Sequence, residues 1–152
     1  MKILMVCLGN ICRSPMAEGI LKSKIGTLNI QVDSAGTSDF HAGENPDARA
    51  VLTARKHNVN IAPLTARPFT VEDFDAFDQI YAMDKSNLNN ILKLARNAED
   101  AQKVKLIANE VYPNTDTDVP DPYFGGESGF EHVYNLLDKA TDKIIEKFTH
   151  GN

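Results

Sequence analysis

The chain has 152 residues, of which 42% are hydrophobic and 24% are charged. The length suits about one domain, and the composition is close to the globular average, which argues against disorder. The 16 basic and 21 acidic side chains leave a formal net charge of −5. That charge disfavours non-specific binding to nucleic acid or to an anionic membrane. We therefore expect a single domain over residues 1–152, with neither nucleic acid nor a membrane as a partner.

The number of cysteines and the N-terminal segment indicate the cellular compartment of the protein. Cys7 and Cys12 are too few and too close together for the disulfide framework of a small secreted protein. The N-terminal apolar run is too short for a signal peptide, and no apolar stretch reaches the roughly 18 residues that span a bilayer. The sequence therefore predicts a cytoplasmic protein.

The first element in chain order is a buried strand. Residues 2–8 form a continuous apolar run after one leading charge and end at Gly9, which is typical of a strand covered on both faces. Ser14 as a cap and Pro15 at the first helical position then predict a helix that ends at Gly26.

Strand and helix patterns alternate along the rest of the chain. The predicted strands are residues 30–34, 79–83 and 104–108, and the predicted helices begin at Asn45, Thr70, Asp84 and Ser128. This alternation predicts an α/β fold, with a small parallel sheet of about four strands and helices on both faces. Ligands of such sheets bind beyond the carboxyl ends of the strands, which directs attention to residues 8–14.

Residues 7–14 combine a cysteine at a strand end with a helix start and an arginine. Backbone N–H groups in such a loop can converge on an anion, and the helix dipole adds positive charge. Arg13 can meet two oxygens of a phosphate with its planar fork, while Gly9 permits a tight backbone path. The same field favours a thiolate at Cys7, and the Ser14 hydroxyl could donate to it.

Simpler interpretations of these residues stay open at this point. A buried cysteine is most often a small apolar residue, and an arginine near a helix start is most often a solvated charge. A Walker loop would need G-x-x-x-x-G-K-S/T, which the chain lacks, and a dinucleotide fingerprint is absent too. The spacing therefore favours a thiolate nucleophile in an oxyanion cradle.

Residues 6–15 strongly resemble the signature loop of the low-molecular-weight protein tyrosine phosphatases. Further segments match that family in the same order: residues 33–37, 45–50, 66–67, 73–74, 82–88 and 119–123. The resemblance thus runs from residue 1 to near the C-terminus. The aromatic residue at Phe40 is typical of the eukaryote-like type.

The resemblance implies hydrolysis of phosphotyrosine and small aryl phosphates. Cys7 would be the nucleophile that forms a phosphocysteine, and Arg13 would bind the phosphoryl group. Asp121 would protonate the leaving phenolate and then act as the base for water. The family implies no cofactor and no metal, and a phosphoprotein as the substrate, with a tyrosine kinase as a further partner.

The family also implies supporting roles around the catalytic groups. Asn10, Ser14 and Ser34 would form the polar network that shapes the loop. The phosphate-binding loop between the first strand and first helix would comprise Leu8, Gly9, Asn10, Ile11, Cys12 and Ser14, and the slot for the aromatic ring would be walled by Leu8, Phe40, Tyr123 and Phe124. Two positions depart from the family pattern: Leu64 stands where some members have histidine, and Phe124 stands where many have a second tyrosine.

The chemistry of Asp121 can also be argued from its neighbours. Pro120 and Pro122 stiffen the backbone on both sides, so the carboxyl can be held over a pocket. An Asp-Pro pair alone is more often a turn. The four histidines, His41, His57, His132 and His150, show no ligand spacing and are interpreted as surface or helix residues.

Cys12 has two interpretations. It is either a space-filling loop residue or a resolving thiol that traps oxidised Cys7 as a disulfide.

Two other activities also compete with the phosphatase. A thiol-dependent arsenate reductase would use the same cradle, but it would need further cysteines downstream, and the chain has none after Cys12. A phosphate-binding module would need neither Cys7 nor Asp121.

Overall fold

The computed structural model describes residues 1–124 and 126–149, except for the side chains of Phe124 and Glu127. Its centre is a single sheet of four parallel strands in the order β2-β1-β3-β4. The strands are β1 Lys2–Cys7, β2 Gln31–Gly36, β3 Gln79–Ala82 and β4 Val104–Leu106. The predicted four-stranded parallel sheet is confirmed.

Helices cover both faces of this sheet, as predicted. They are α1 Arg13–Ile25, α2 Ala48–Lys56, α3 Asp73–Ala76, α4 Lys85–Leu92, α5 Ala98–Gln102 and α6 Glu127–Thr149, and two 3₁₀ turns span Ile107–Glu110 and Pro122–Phe124. Helices α1 and α6 lie on one face with α2 packed against them, while α3 and α4 lie on the other. Among the residues described, no helix combines the length and apolar character needed to cross a bilayer.

The alternating side chains of β1 explain why both faces must be covered. Ile3 and Met5 enter the core beneath α1 and α6, whereas Leu4 and Val6 enter the core beneath α3 and α4. All four side chains are fully buried. Successive strand side chains point to opposite faces, so an unbroken apolar run requires helices on each side.

Some element boundaries differ from the sequence-based expectations. Helix α1 begins at Arg13, with Cys12 at the cap position and no side-chain cap, so the prediction that Ser14 caps it is wrong. The Ser14 hydroxyl bonds to side chains of the loop instead. Helix α2 is capped by Asp47, which accepts from the Arg49 N–H, rather than opening at Asn45. Helix α6 begins at Glu127, which places Ser128 inside it.

Two further differences lie around β4. The strand stops at Leu106 and continues as a 3₁₀ turn, because the apolar run to Ala108 fits a buried turn as well as a strand. The short helix α5, capped by Asn97, was not predicted.

Two predicted helix ends are confirmed. Helix α1 ends at Gly26, which has a φ of 56°, and Asp84 caps α4 by accepting from the Asn87 N–H at 2.7 Å.

Helix α1 packs so closely that one of its glycines has no room for a side chain. A Cβ on Gly19 would lie 2.5 Å from Cγ2 of Ile61, which is fully buried. Overpacking a core costs about 1–3 kcal/mol, whereas alanine in place of glycine gains only about 1 kcal/mol in a helix. We expect Gly19→Ala to lower the free energy of unfolding by about 1–2 kcal/mol in urea titrations.

Gly129→Ala in α6 is the matched control. The new Cβ would lie 3.9 Å from Cβ of Pro122, an ordinary contact. This substitution should leave stability unchanged or raise it by up to about 1 kcal/mol. Equal stabilisation by both substitutions would contradict the packing described for α1.

Candidate active site

The loop of residues 7–14, called the phosphate loop below, lies at the carboxyl end of β1 and is held there by β2. The carbonyl of Cys7 accepts from the Thr37 N–H at 2.9 Å, and that of Leu8 accepts from the Ser38 N–H at 2.9 Å. A Cβ on Gly36 would lie 2.8 Å from the Leu8 carbonyl oxygen, so this close approach requires glycine. The phosphate loop therefore occupies the position that strand topology predicts for a ligand site.

Asn10 gives the phosphate loop its shape. Its φ is 59°, a left-handed conformation, whereas Gly9 has no positive φ. The left-handed residue of the loop is thus Asn10. Asparagine tolerates this conformation because its short side chain forms local hydrogen bonds. Gly9 permits the close packing of the loop, because a Cβ at that position would lie 2.9 Å from Cδ2 of His41.

Three side-chain hydrogen bonds of Asn10 hold that turn. Nδ2 donates to Oγ of Ser14 at 2.8 Å and to Oγ of Ser34 at 3.0 Å. Oδ1 accepts from the Arg67 N–H at 3.0 Å. The structure thus brings together Asn10, Ser14 and Ser34 as the resemblance implied. Ser34 in turn donates to Glu18, a carboxylate that is 2% exposed and is also paired with Lys22.

The sulfur of Cys7 lies inside this loop with donors around it. Sγ accepts from the Asn10 N–H at 3.3 Å and is 3.0 Å from Oγ of Ser14. The Cys7 residue is 3% exposed yet lines the cavity described below. A thiolate at the start of a helix, with N–H and hydroxyl donors at hydrogen-bond distance, is stabilised by both.

Arg13 enters the site from the first turn of α1, with its side chain 3% exposed. Nη1 donates to Oδ2 of Asp84 at 2.6 Å and to the Val119 carbonyl at 2.9 Å. Burial alone would lower the pKa of this guanidinium, but the charge of Cys7 and the bond to Asp84 outweigh burial and raise it. The arginine is therefore a fixed positive charge beside the sulfur.

Asp121 lies across from Arg13, with 3.7 Å between its Oδ2 and Nη2 of the arginine. Its Oδ1 accepts from the Tyr123 N–H at 3.0 Å, and the side chain is 36% exposed. The segment of residues 119–123, called the acid loop below, is tied to β3 because the Val119 N–H donates to the Met83 carbonyl at 2.8 Å. Two distant parts of the chain thus place a carboxyl beside the phosphate loop.

These groups face a cavity of about 460 Å³. Phe40 and Tyr123 line its mouth and are 80% and 39% exposed. His41 lines it as well, with its ring edge-on to Phe40 at 4.8 Å and Nδ1 at 3.1 Å from Glu44. His41, interpreted from the sequence as a surface or helix residue and not as a ligand, is partly exposed and also contributes to the cavity wall. Its remaining walls come from Leu8, Gly9, Ile11 and Ser38.

Cys12 also lines the cavity and is 4% exposed. Burial, followed by the charges of Asp47, Cys7 and Asp121, raises the pKa of the Cys12 thiol. Cys12 is therefore a neutral thiol in the same cavity as the sulfur of Cys7. The predicted slot residue Phe124 has a side chain outside the described part of the structure.

Sequence reasoning missed several residues of this site. Asp84 was identified only as a helix cap, but it follows β3, the neighbour of β1, so the rule about strand ends could have found it. Glu18 carried no such signal, because its role depends on β2 presenting Ser34 to α1. Within residues 1–124 and 126–149, no three His, Cys, Asp or Glu side chains are grouped to hold a metal ion.

Comparisons with known proteins agree with this geometry. A sequence model of the family described as low molecular weight phosphotyrosine protein phosphatase matches residues 2–151. The enzyme of that name from Sus scrofa is 37% identical over 150 residues, covering 95% of this chain and 94% of that protein. The one from Dictyostelium discoideum is 40% identical, covering 99% and 95%.

The structural comparison agrees as well. A crystal structure of a protein tyrosine phosphatase from Entamoeba histolytica superimposes with a TM-score of 0.92 and 37% identity. The superposition covers 99% of this chain and 98% of the Entamoeba histolytica chain.

Removal of the Asn10 side chain should distort the phosphate loop. Asn10→Ala loses three hydrogen bonds and leaves alanine in a left-handed conformation, so we expect the free energy of unfolding to fall by about 2–4 kcal/mol. We also expect kcat/KM for an aryl phosphate to fall at least about tenfold, because small displacements at a reacting centre are costly.

Two variants serve as controls for this experiment. Asn10→Gly relieves the backbone strain alone and should regain about 1 kcal/mol of stability without regaining activity. Asn58→Ala, at a second left-handed position with a φ of 64°, should lower stability and leave kcat/KM unchanged. Full activity in Asn10→Ala would show that the network does not shape the site.

Proposed function

Because this chain belongs to the low molecular weight phosphotyrosine protein phosphatases, cysteine-based hydrolases of phosphomonoesters, we propose that Cys7, Arg13 and Asp121 carry out its reaction. The observation that supports this assignment is their convergence on one cavity. The sulfur and the buried guanidinium come from the phosphate loop, the carboxyl comes from the acid loop, and all three residues line this cavity. The arginine and the carboxyl lie 3.7 Å apart.

In the first step, the Cys7 thiolate attacks phosphorus in line with the leaving oxygen. A sulfur–phosphorus bond forms, the phosphorus–oxygen bond of the ester breaks, and the proton of Asp121 passes to the departing phenolate. Loop N–H groups and Arg13 stabilise the negative charge on the three equatorial oxygens. Cys7 then carries the phosphoryl group.

In the second step, water attacks the phosphocysteine. Asp121, now ionised, takes a proton from that water while the sulfur–phosphorus bond breaks. Inorganic phosphate and the Cys7 thiolate are released. The Ser14 hydroxyl, 3.0 Å from the sulfur, stabilises the thiolate as it leaves.

The walls of the cavity favour a phosphotyrosine side chain over a phosphoserine. Phe40, His41 and Tyr123 provide ring surfaces around the mouth, while Cys7 lies at its base. The ring of phosphotyrosine can pack against these surfaces, whereas phosphoserine is shorter and has no ring to pack. The substrates are therefore phosphotyrosine-containing proteins.

Arsenate reduction is not favoured for this chain. An arsenate reductase would need further cysteines after Cys12, and the sequence contains only two in all. The carboxyl of Asp121 also suits a phenolate leaving group, which arsenate lacks.

The same residues also bear on the regulation of the enzyme, its cellular location and its domain organisation. The half-exposed Tyr123 is a candidate substrate of a tyrosine kinase in the acid loop. A reducing, cytoplasmic location fits the two free cysteines. Residues 1–152 form one domain, which is supported by the packing of α6 against α1.

Cys12 serves to protect the nucleophile from oxidation. Hydrogen peroxide converts the Cys7 thiolate to a sulfenic acid and releases hydroxide. The Cys12 thiol then displaces water to form a disulfide, which a thiol reductant returns to two cysteines. The raised pKa of Cys12 is consistent with Cys7 being oxidised first.

Substitution of the acid tests the first step directly. Asp121→Asn should lower kcat/KM for phosphotyrosine by about 10²–10⁴-fold, because the phenolate must leave without a proton. With 2,4-dinitrophenyl phosphate, whose phenol is far more acidic, the loss should be much smaller.

The control for that measurement is Cys7→Ser, which should abolish turnover of both substrates. Labelled phosphate should be trapped on Cys7 in rapid-quench experiments. Full activity of Asp121→Asn on phosphotyrosine would overturn the assignment of the acid.

The redox proposal predicts a difference in recovery from peroxide. The wild type should lose activity and regain it with dithiothreitol, whereas Cys12→Ser should lose it irreversibly, since its sulfenic acid oxidises further. Residual hydrolysis of an aryl phosphate before and after reductant is the measurement. Equal recovery of the two proteins would leave Cys12 as a packing residue only.

A further inference from the structure

Arg49, in the first turn of α2, lies where three parts of the molecule meet. Its guanidinium lies over the ring of Tyr123, 5.3 Å from the ring centre, and over the ring of Phe130 at 4.9 Å. Tyr123 belongs to the acid loop, and Phe130 is fully buried in α6. A cation over an aromatic face is attracted by the ring quadrupole, so Arg49 joins the acid loop to the core of the protein.

Asp47 fixes the orientation of Arg49. Its Oδ1 accepts from Nε at 3.1 Å and its Oδ2 from Nη2 at 3.0 Å, in the paired geometry that only a guanidinium provides. Burial alone would raise the pKa of the Asp47 carboxyl, but the hydrogen bonds from Arg49 outweigh it and lower that pKa. The pair is therefore fully charged at neutral pH.

The same pair is attached to the phosphate loop. The Asp47 N–H donates to the Ile11 carbonyl at 2.9 Å. The charges of Asp47 and Arg49 also act on the thiol of Cys12, the first raising its pKa and the second lowering it. Arg49 thus has a fixed position relative to the loop that binds the phosphoryl group.

The position of the Tyr123 ring matters for the carboxyl of Asp121. The Tyr123 N–H donates to Oδ1 of Asp121 at 3.0 Å. With Oδ1 occupied, Oδ2 is the oxygen that lies 3.7 Å from Nη2 of Arg13. A shift of the ring would move this N–H and the carboxyl with it.

We propose that Arg49 is a positioning residue, which holds Asp121 over the cavity by anchoring the ring of Tyr123. The proposal rests on the proposed function, in which Asp121 is the general acid. Arg49 is not one of the described residues that line the cavity, so it acts through the acid loop and not on the substrate. Its loss should impair proton donation and leave the nucleophile and Arg13 in place.

The test compares two substrates that differ in their need for a proton. In Arg49→Gln, kcat/KM for phosphotyrosine should fall about tenfold, part of the full contribution of a general acid. For 2,4-dinitrophenyl phosphate it should change less than about twofold, since that phenolate leaves without help. Arg49→Lys keeps the charge but not the paired bond to Asp47, and should recover part of the loss.

Two further variants make this test specific. Arg55→Gln removes an exposed arginine from the last turn of the same helix and should change neither substrate's kcat/KM. In the Asp121→Asn background, Arg49→Gln should have no further effect on phosphotyrosine, because both changes act on one proton transfer. Thermal unfolding of each variant shows whether any loss of activity follows a loss of fold.

The outcomes separate this proposal from the one it rests on. Equal losses with both substrates in Arg49→Gln, or additive losses with Asp121→Asn, would overturn the positioning role and leave Asp121 as the acid. If Asp121→Asn loses the same fraction of kcat/KM with both substrates, then Asp121 is not the general acid. The role proposed for Arg49 would then be overturned as well. Selective loss with phosphotyrosine, absent in the double variant, would establish the role.

Discussion

The left-handed turn at Asn10 is the local constraint on which the site depends. A loop that points several N–H groups at one anion cannot be regular helix or strand, so it needs bonds from elsewhere to keep its shape. Asn10 supplies them by joining Ser14 of α1, Ser34 of β2 and the backbone of Arg67. The sheet and the first helix thus hold the loop before any ligand arrives, and binding costs little ordering of the backbone.

The charged side chains of the site surround that loop in an arrangement that favours binding of a dianion. Arg13 is buried and bonded to Asp84, yet its second terminal nitrogen, Nη2, is directed toward Asp121 and the cavity. In the proposed mechanism, a phosphoryl group that enters the loop meets both this nitrogen and the N–H groups of the loop. In a buried setting, such prearranged charges act more strongly than they would in water.

The proposed proton transfer depends on contacts that hold the acid loop in place, because this loop has little regular structure of its own. Its Val119 is tied to β3, while Tyr123 rests against Arg49, so the loop is held at both ends. Prolines at residues 120 and 122 limit the backbone between these points. The carboxyl is therefore positioned without being buried, which leaves it the access to water that the proposed second step requires.

Local sequence patterns were enough to predict the alternation of strands and helices, the buried first strand and the phosphate loop, because apolar periodicity, capping residues and spacing specify each of them. The sequence also pointed to Cys7, Arg13 and, with the family resemblance, to Asp121. Three features could be found only in the folded molecule: Asp84 is bonded to Arg13, His41 lines the cavity, and Arg49 lies over the ring of Tyr123 in the acid loop. Each of these features depends on residues that are distant along the chain and that only the fold brings together, and such contacts leave no periodic trace in the sequence.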